Sequence, residues 1–483
     1  MTLHQLYVAL FLGGLVLLAS IAATRLATGV GLPSLLLFLG VGVLVGEGGL
    51  GLQFDNAQLG QDLGTAALAV ILVEGGLTTR FSDIRKVLAP AAVLATLGVA
   101  VSTLVTAAAV HWLLGMNWQL ALLLGAVISS TDAAAVFSVL RVVPLPRRLS
   151  GLLEAESGFN DAPAVILVML FSVVPMELNA VDIVGTLVYE LGIGTVLGLG
   201  FGVLGAMTLR RIALPAAGLY PLATFGLGML AFAAAGTAHG SGFLAAYLAS
   251  VVLANSGLPH RSATRSFAEG AGWLAQIGVF VILGLLVSPD QLLDEVVPAI
   301  VAGLALLLLA RPISVFLSLI GFRVPWREKM FLSWAGLRGA VPIVLCTYPI
   351  VAGVPDSWRL LHIVFILVVL YTAIQGPSLR RVAEWLNLIP RDTTREIQVD
   401  AAPLDVLGAE LLTMTVLPDP SVITLIIRDG QSFVPQPVTR LQIGDELLIV
   451  TTSVTRDQAE RRLRAVSRRG KLAYWFDEYG DPA

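Results

Sequence analysis

The chain has 483 residues, 56% hydrophobic and only 13% charged, with a mean hydropathy of +0.85. Soluble domains carry about 25% charged residues, so a single soluble core is excluded as a home for this much apolar sequence. The net charge of -3 leaves no nucleic-acid footprint, the sole cysteine, Cys346, excludes disulfides within the chain and a cysteine-based metal site, and five scattered histidines argue against a histidine-rich one.

Runs of about 18 or more mostly apolar residues predict membrane-spanning helices. In chain order they fall near 6–23, 33–45, 63–77, 87–110, 120–140, 152–174, 183–209, 220–235, 242–253, 272–287, 297–320, 330–352 and 361–385, which is about thirteen spans. No Lys or Arg precedes Leu6, so the first run reads as a helix rather than a cleavable signal. Lys and Arg accumulate on the cytoplasmic side of membrane proteins. With an external N-terminus, alternate loops hold Arg25, then Arg80, Arg85 and Lys86, then Arg141, Arg147 and Arg148, and so on to Arg323, Arg327 and Lys329. The intervening loops hold mainly acids such as Asp55, Asp182, Asp290 and Asp294, with Arg359 as the exception. This alternation places the C-terminus in the cytoplasm. The fold class expected is therefore an all-α polytopic membrane protein followed by a small α/β cytoplasmic domain.

A charge at membrane depth costs several kcal/mol on most scales, so each needs a partner or a function. The fifth span carries Ser129-Ser130-Thr131-Asp132, four successive oxygen-bearing side chains inside an apolar run. The sixth carries Glu156-Ser157-Gly158-Phe159-Asn160-Asp161 and then Pro163. At about 100° per residue, Glu156 and Asn160 share one ridge while Ser157 and Asp161 share the next. Carboxylate, hydroxyl and carbonyl oxygens suit a hard cation that must also leave. In the twelfth span, Gly336, Gly339 and Pro342 interrupt the helix around Arg338. Inverted-repeat transporters place broken helices at corresponding positions of their two halves, which pairs the fifth span with the twelfth. Arg338 needs a carboxylate or water, and the expected partner is Glu156, with Asn160 bonding the pair. Arg311 and Glu74 are expected to snorkel or to hold helices together near cytoplasmic ends.

These stretches resemble the sodium/proton exchanger type of the monovalent cation:proton antiporter-1 family. The resemblance rests on Gly31-Leu32-Pro33, Glu74-Gly75-Gly76-Leu77, Thr131-Asp132, Glu156-Ser157 with Asn160-Asp161, Gly240 to Ala245, and Gly336 to Pro342. It implies a homodimer with a mobile core in which Asp161 carries alternately a proton and a monovalent cation. It also implies that Thr131, Asp132 and Ser157 complete the cation site, with Glu156, Asn160 and Arg338 as an adjoining polar lock. No cofactor is implied beyond the transported K+ or Na+ and H+. Ala133 stands where many sodium exchangers have proline, and this run with Leu274 to Gly278 looks more like the potassium/proton branch.

Charge becomes frequent after Arg380, which predicts a membrane domain over 1–386, a linker over 387–403, a regulatory domain over 404–470 and a tail over 471–483. Strands are expected at 412–416, 422–428 and 445–451, with a Pro-rich loop between Gly430 and Pro437 and a helix near 456–466. The Ile443-Gly444-Asp445-Glu446-Leu447 turn and strand resemble the C-terminal subdomain of regulator-of-potassium-conductance modules, also called TrkA-C. That implies a dimerising domain able to bind a small ligand such as a nucleotide or cyclic dinucleotide, although no Gly-rich phosphate loop identifies it. A proton-coupled antiporter is the leading reading, in a bacterial inner membrane. The rival is a ligand-gated cation channel, for which no filter-like Thr-Val-Gly run appears. An enzyme is not expected, since no histidine lies near Ser157 to activate it.

Overall fold

The computed structural model describes residues 3–30, 34–49, 51, 54, 56–132, 143, 145–176, 179–212, 214–389, 421–428, 431–434 and 446–451. The chain divides into two compact units, Met1–Pro390 and Arg391–Ala483. Within the first unit the described elements are all helical. They begin with α1 (Leu3–Val30), α2 (Ser34–Val45), α3 (Ala57–Thr78), the short α4 (Phe81–Ile84) and α5 (Leu88–Val93). A π-turn at Leu94–Gly98 leads into α6 (Val99–Leu114), followed by α7 (Trp118–Ser129), α8 (Arg147–Phe171), α9 (Ala180–Arg211), α10 (Leu219–Thr237) and α11 (Gly242–Ala254). Next come α12 (Arg261–Leu285) and α13 (Val296–Ala305), which continues through a π-turn at Leu306–Ala310 into α14 (Arg311–Ser318). The unit closes with α15 (Trp326–Trp334), α16 (Ala340–Val351) and α17 (Ser357–Trp385).

Local chemistry sets many of these ends. The Asn56, Asn117 and Asn179 side chains accept from Leu59, Leu120 and Val181 N–H, capping α3, α7 and α9. Gly115, at φ 65°, ends α6 in the left-handed conformation that glycine adopts without a Cβ clash. Among the described residues, six helical stretches, 180–211, 261–285 and 357–385 among them, are long and apolar enough to cross a membrane by length and composition. Several helices outrun their predicted spans: α12 begins eleven residues before the predicted 272, because polar residues outside the apolar run still propagate backbone hydrogen bonds. Pro163 does not end α8, which runs on to Phe171.

The interior is built where apolar faces meet. Helix α7 packs between α6 and α8, α16 packs on α17, α3 and α8, and α9 packs on α11, which also meets α3. Helix α9 is largely exposed, with Val181, Val184, Val188, Val196 and Leu204 on its open face, whereas α16 and the middle of α17 are buried. An apolar open face suits lipid rather than water.

In the second unit, β1 (Ser421–Arg428), β2 (Gln431–Phe433) and β3 (Glu446–Thr451) form an antiparallel sheet in the order β2-β1-β3. Two expected strands correspond to β1 and β3. Strand β2 is a correction: it lies where a Pro-rich loop was expected. Arg428 pairs with Gln431, leaving only Asp429-Gly430 between them, the composition favoured for a two-residue hairpin. The expected strand at 412–416 and helix at 456–466 lie outside the described residues.

Candidate ion-binding site at two interrupted helices

Helix α7 stops at Ser129, and Ser130 is extended at φ -71° and ψ 138°. Helix α15 stops at Trp334, and α16 begins only at Ala340. Pro342 fits the first turn of α16 because its missing N–H would have had no helical partner there. The two non-helical stretches meet: the Asp132 amide donates to the Leu337 carbonyl at 3.1 Å, and the Ala340 amide donates to Asp132 Oδ2 at 2.9 Å. Arg338 Nη1 in turn donates to the Ser129 carbonyl at 2.9 Å and to the Ser130 carbonyl. Each stretch thus neutralises the helix end of the other. The guanidinium meets the negative C-terminal end of α7, and the Asp132 carboxylate meets the positive N-terminal end of α16. This closeness requires Gly339, since a Cβ there would collide with the Asp132 carboxylate.

Helix α8 brings the remaining groups. Ser130 Oγ donates to Asp161 Oδ1 at 2.5 Å, Asn160 Nδ2 donates to Thr131 Oγ1 at 2.5 Å, and Thr131 Oγ1 lies 3.0 Å from Ser157 Oγ. Asp132 is 3% and Asp161 4% exposed, so neither carboxylate is hydrated as it would be at a surface. The structure therefore gathers Thr131, Asp132, Ser157, Asn160 and Asp161, with Arg338, around the point where the interrupted helices meet. Hydroxyl, carboxylate and carbonyl oxygens suit an alkali cation, and a carboxylate also takes a proton.

The expected Glu156–Arg338 pair is corrected. Glu156 Oε1 lies 2.6 Å from Arg311 Nη1, and both side chains are buried. Arg338 spends its Nη1 on backbone carbonyls instead, and Asn160 bonds Thr131 rather than an ion pair. Of the two expectations for Arg311, the structure shows the second: at 4% exposure it holds two helices together through Glu156 rather than snorkelling. The reason is rotational, since position along a span gives depth but not the face on which a side chain points.

A family model described as "Sodium/hydrogen exchanger, transmembrane" matches residues 15–385. The chain belongs to the sodium/hydrogen exchanger family. Within it, this member is 38% identical over 462 residues to the K(+)/H(+) antiporter NhaP of Alkalimonas amylolytica, covering 90% of this chain and 80% of that protein. It is 34% identical over 468 residues to the K(+)/H(+) antiporter NhaP2 of Shewanella oneidensis, covering 91% and 80%. The fold is similar to that of the sodium proton antiporter MjNhaP1 from Methanocaldococcus jannaschii, with a TM-score of 0.67 at 22% identity, covering 79% of this chain and 99% of that one.

Two residues of this family member's candidate site have roles that the sequence alone does not reveal. Ser130 was visible in the Ser-Ser-Thr-Asp run, but nothing in that run says which hydroxyl faces Asp161. Arg311 carried a signal too, as a charge in an apolar span, yet its partner lies 155 positions away and only packing joins them.

Proposed function

We propose that this chain is a secondary antiporter exchanging H+ for a monovalent cation, K+ favoured and Na+ the alternative. One observation carries the reading: Asp161 is a buried carboxylate beside a hydroxyl and amide network, at the meeting point of two interrupted helices. Its Oδ1 is held by Ser130. Proton and cation would compete for Asp161, with Thr131 and Ser157 supplying further oxygens. Asp132 acts on this reading partly as a ligand at the edge of the site and partly as the cap of α16. The relatives named K(+)/H(+) antiporter support K+ over Na+.

Charge balance supports electroneutral exchange. Ionised Asp132, Glu156 and Asp161 against Arg311 and Arg338 leave one net negative charge, which one proton or one monovalent cation cancels. An uncancelled charge resists crossing a low-dielectric barrier, so only the loaded forms move and access alternates. We place the chain in a bacterial inner membrane as a homodimer, with thirteen crossings arranged as inverted repeats, the N-terminus outside and the C-terminus in the cytoplasm. The second unit is read as a TrkA-C-like regulator that takes a small ligand, a nucleotide or cyclic dinucleotide.

The test is purified protein in proteoliposomes with a pH-reporting dye inside. Imposed K+ or Na+ gradients are expected to drive proton movement, and K+ at lower concentration than Na+. Cation flux that persists without proton movement would instead identify a channel.

A further inference from the structure

Glu156, Arg311 and Arg338 together carry one surplus positive charge, in a region where Arg338 is 0% and Arg311 4% exposed. The two guanidiniums are neighbours: a Cβ built on Gly336 would lie 3.1 Å from Arg311 Nε and 3.6 Å from Arg338 Nη2. In each arginine Nε and Nη2 are buried without a hydrogen-bond partner among the described residues. The same holds for both amide atoms of Gln375, which is 1% exposed. Native interiors rarely leave such groups unsatisfied, so the placement of Gln375 matters.

Helix α17 runs along two sides of this cluster. Its Thr372 Oγ1 donates to the Arg338 carbonyl at 3.1 Å, and its Ser378 Oγ accepts from Trp334 Nε1 at 3.0 Å. Gln375 sits midway between them on the same face, level with the non-helical stretch that holds Gly336. Against the helix formed by α13 and α14, Arg359 pairs with Glu295 at 2.7 Å and the Tyr371 hydroxyl donates to the Gly303 carbonyl at 2.7 Å. Those partners are 64 and 68 positions apart, so the helices run parallel, and the second offset sets Gln375 about level with residue 307, one turn before Arg311. Tyr371, one turn before Gln375, is also within electrostatic reach of both guanidiniums.

We propose that Gln375 is the third side chain of the buried arginine pair, a positioning residue that holds Arg311 and Arg338 through bound water shared by their unsatisfied N–H groups and its carboxamide. Water fits because the site offers four guanidinium nitrogens as donors and a carboxamide that both donates and accepts, and a buried water typically makes about three hydrogen bonds. The amide keeps the surplus positive charge near Asp161 and Asp132, where a carboxylate at the same place would cancel it.

The test relocates the carboxylate in the full-length protein, read by melting temperature in lipid nanodiscs and by exchange in proteoliposomes. Glu156→Gln is expected to lower both. Adding Gln375→Glu is expected to restore at least half of the lost melting temperature and measurable exchange, whereas adding Ser378→Glu, further along the same face, restores neither. A Glu156→Gln, Gln375→Glu protein that melts no higher than Glu156→Gln alone would overturn the assignment. Should Glu156→Gln fail to fold, Gln375→Glu by itself decides: beside two arginines it melts no lower than wild type, while a fall of several degrees places Gln375 away from them. The melting readout is independent of the ion carried, so the assignment and the antiport reading fail separately.

Discussion

Asp161 has one carboxylate oxygen held by Ser130 and lies beside the Thr131 and Ser157 hydroxyls. Proton and cation occupancy of that group should be exclusive. Asp161→Asn is expected to abolish cation-driven proton movement while leaving the melting temperature within a degree or two of wild type; full activity would remove Asp161 from the site. In the wild type, lowering pH fills the carboxylate with protons, so the apparent KM for the cation should rise as pH falls while the maximal rate at saturating cation changes little. A KM independent of pH over the active range would contradict competition. Glu156 and Arg311 behave differently, because removing either leaves the other charged and buried, at a cost of about 3 to 5 kcal/mol. Glu156→Ala and Arg311→Ala are each expected to lower stability on that scale, and the exchange Glu156→Arg with Arg311→Glu to recover part of it. Unchanged melting in both single variants would disprove the pairing.

At the scale of elements, the site exists because two helices stop where they do. An intact helix would bond every internal backbone group to itself, leaving no carbonyl for Arg338 and no amide for Asp132. The interruptions free the Ser129 and Ser130 carbonyls and the Ala340 amide, and each helix end meets an opposite charge from the other stretch. Gly339 is the position that permits the approach. Gly339→Ala is expected to cut the exchange rate at least tenfold in folded protein, because the added methyl displaces the Asp132 carboxylate from the α16 end. A wild-type rate in Gly339→Ala would show that the crossing tolerates a shift that the packing denies it.

For the molecule as a whole, every group proposed for the ion site lies in the first compact unit, which ends at Pro390. Ending the chain there should preserve exchange in proteoliposomes and change its response to ligand or pH. Loss of exchange from a truncated protein that still melts cooperatively would mean that the second unit is part of the transport machinery. The charge balance of the buried cluster has a whole-molecule consequence too: turnover should move no net charge. A current across planar or solid-supported membranes that grows with cation concentration would sink the electroneutral reading.

The amino-acid sequence by itself determined the membrane character, since an apolar run of sufficient length has no stable home in water. It also marked the polar positions inside those runs, because a buried charge stands out wherever it falls: Asp132, Glu156, Asp161 and Arg338 needed no coordinates to be singled out. The glycines and proline around Arg338 announced an interrupted helix through backbone chemistry alone. Which charge meets which was decided only by tertiary structure. Arg311 rather than Arg338 reaches Glu156, and Ser130 rather than its neighbours caps Asp161, because pairing depends on the rotation of each helix about its axis and on its packing against elements distant in the chain. Helices that are apolar nearly all round carry little sequence periodicity to fix that rotation, so the contacts between α7, α8, α14 and the stretch before α16 set it instead.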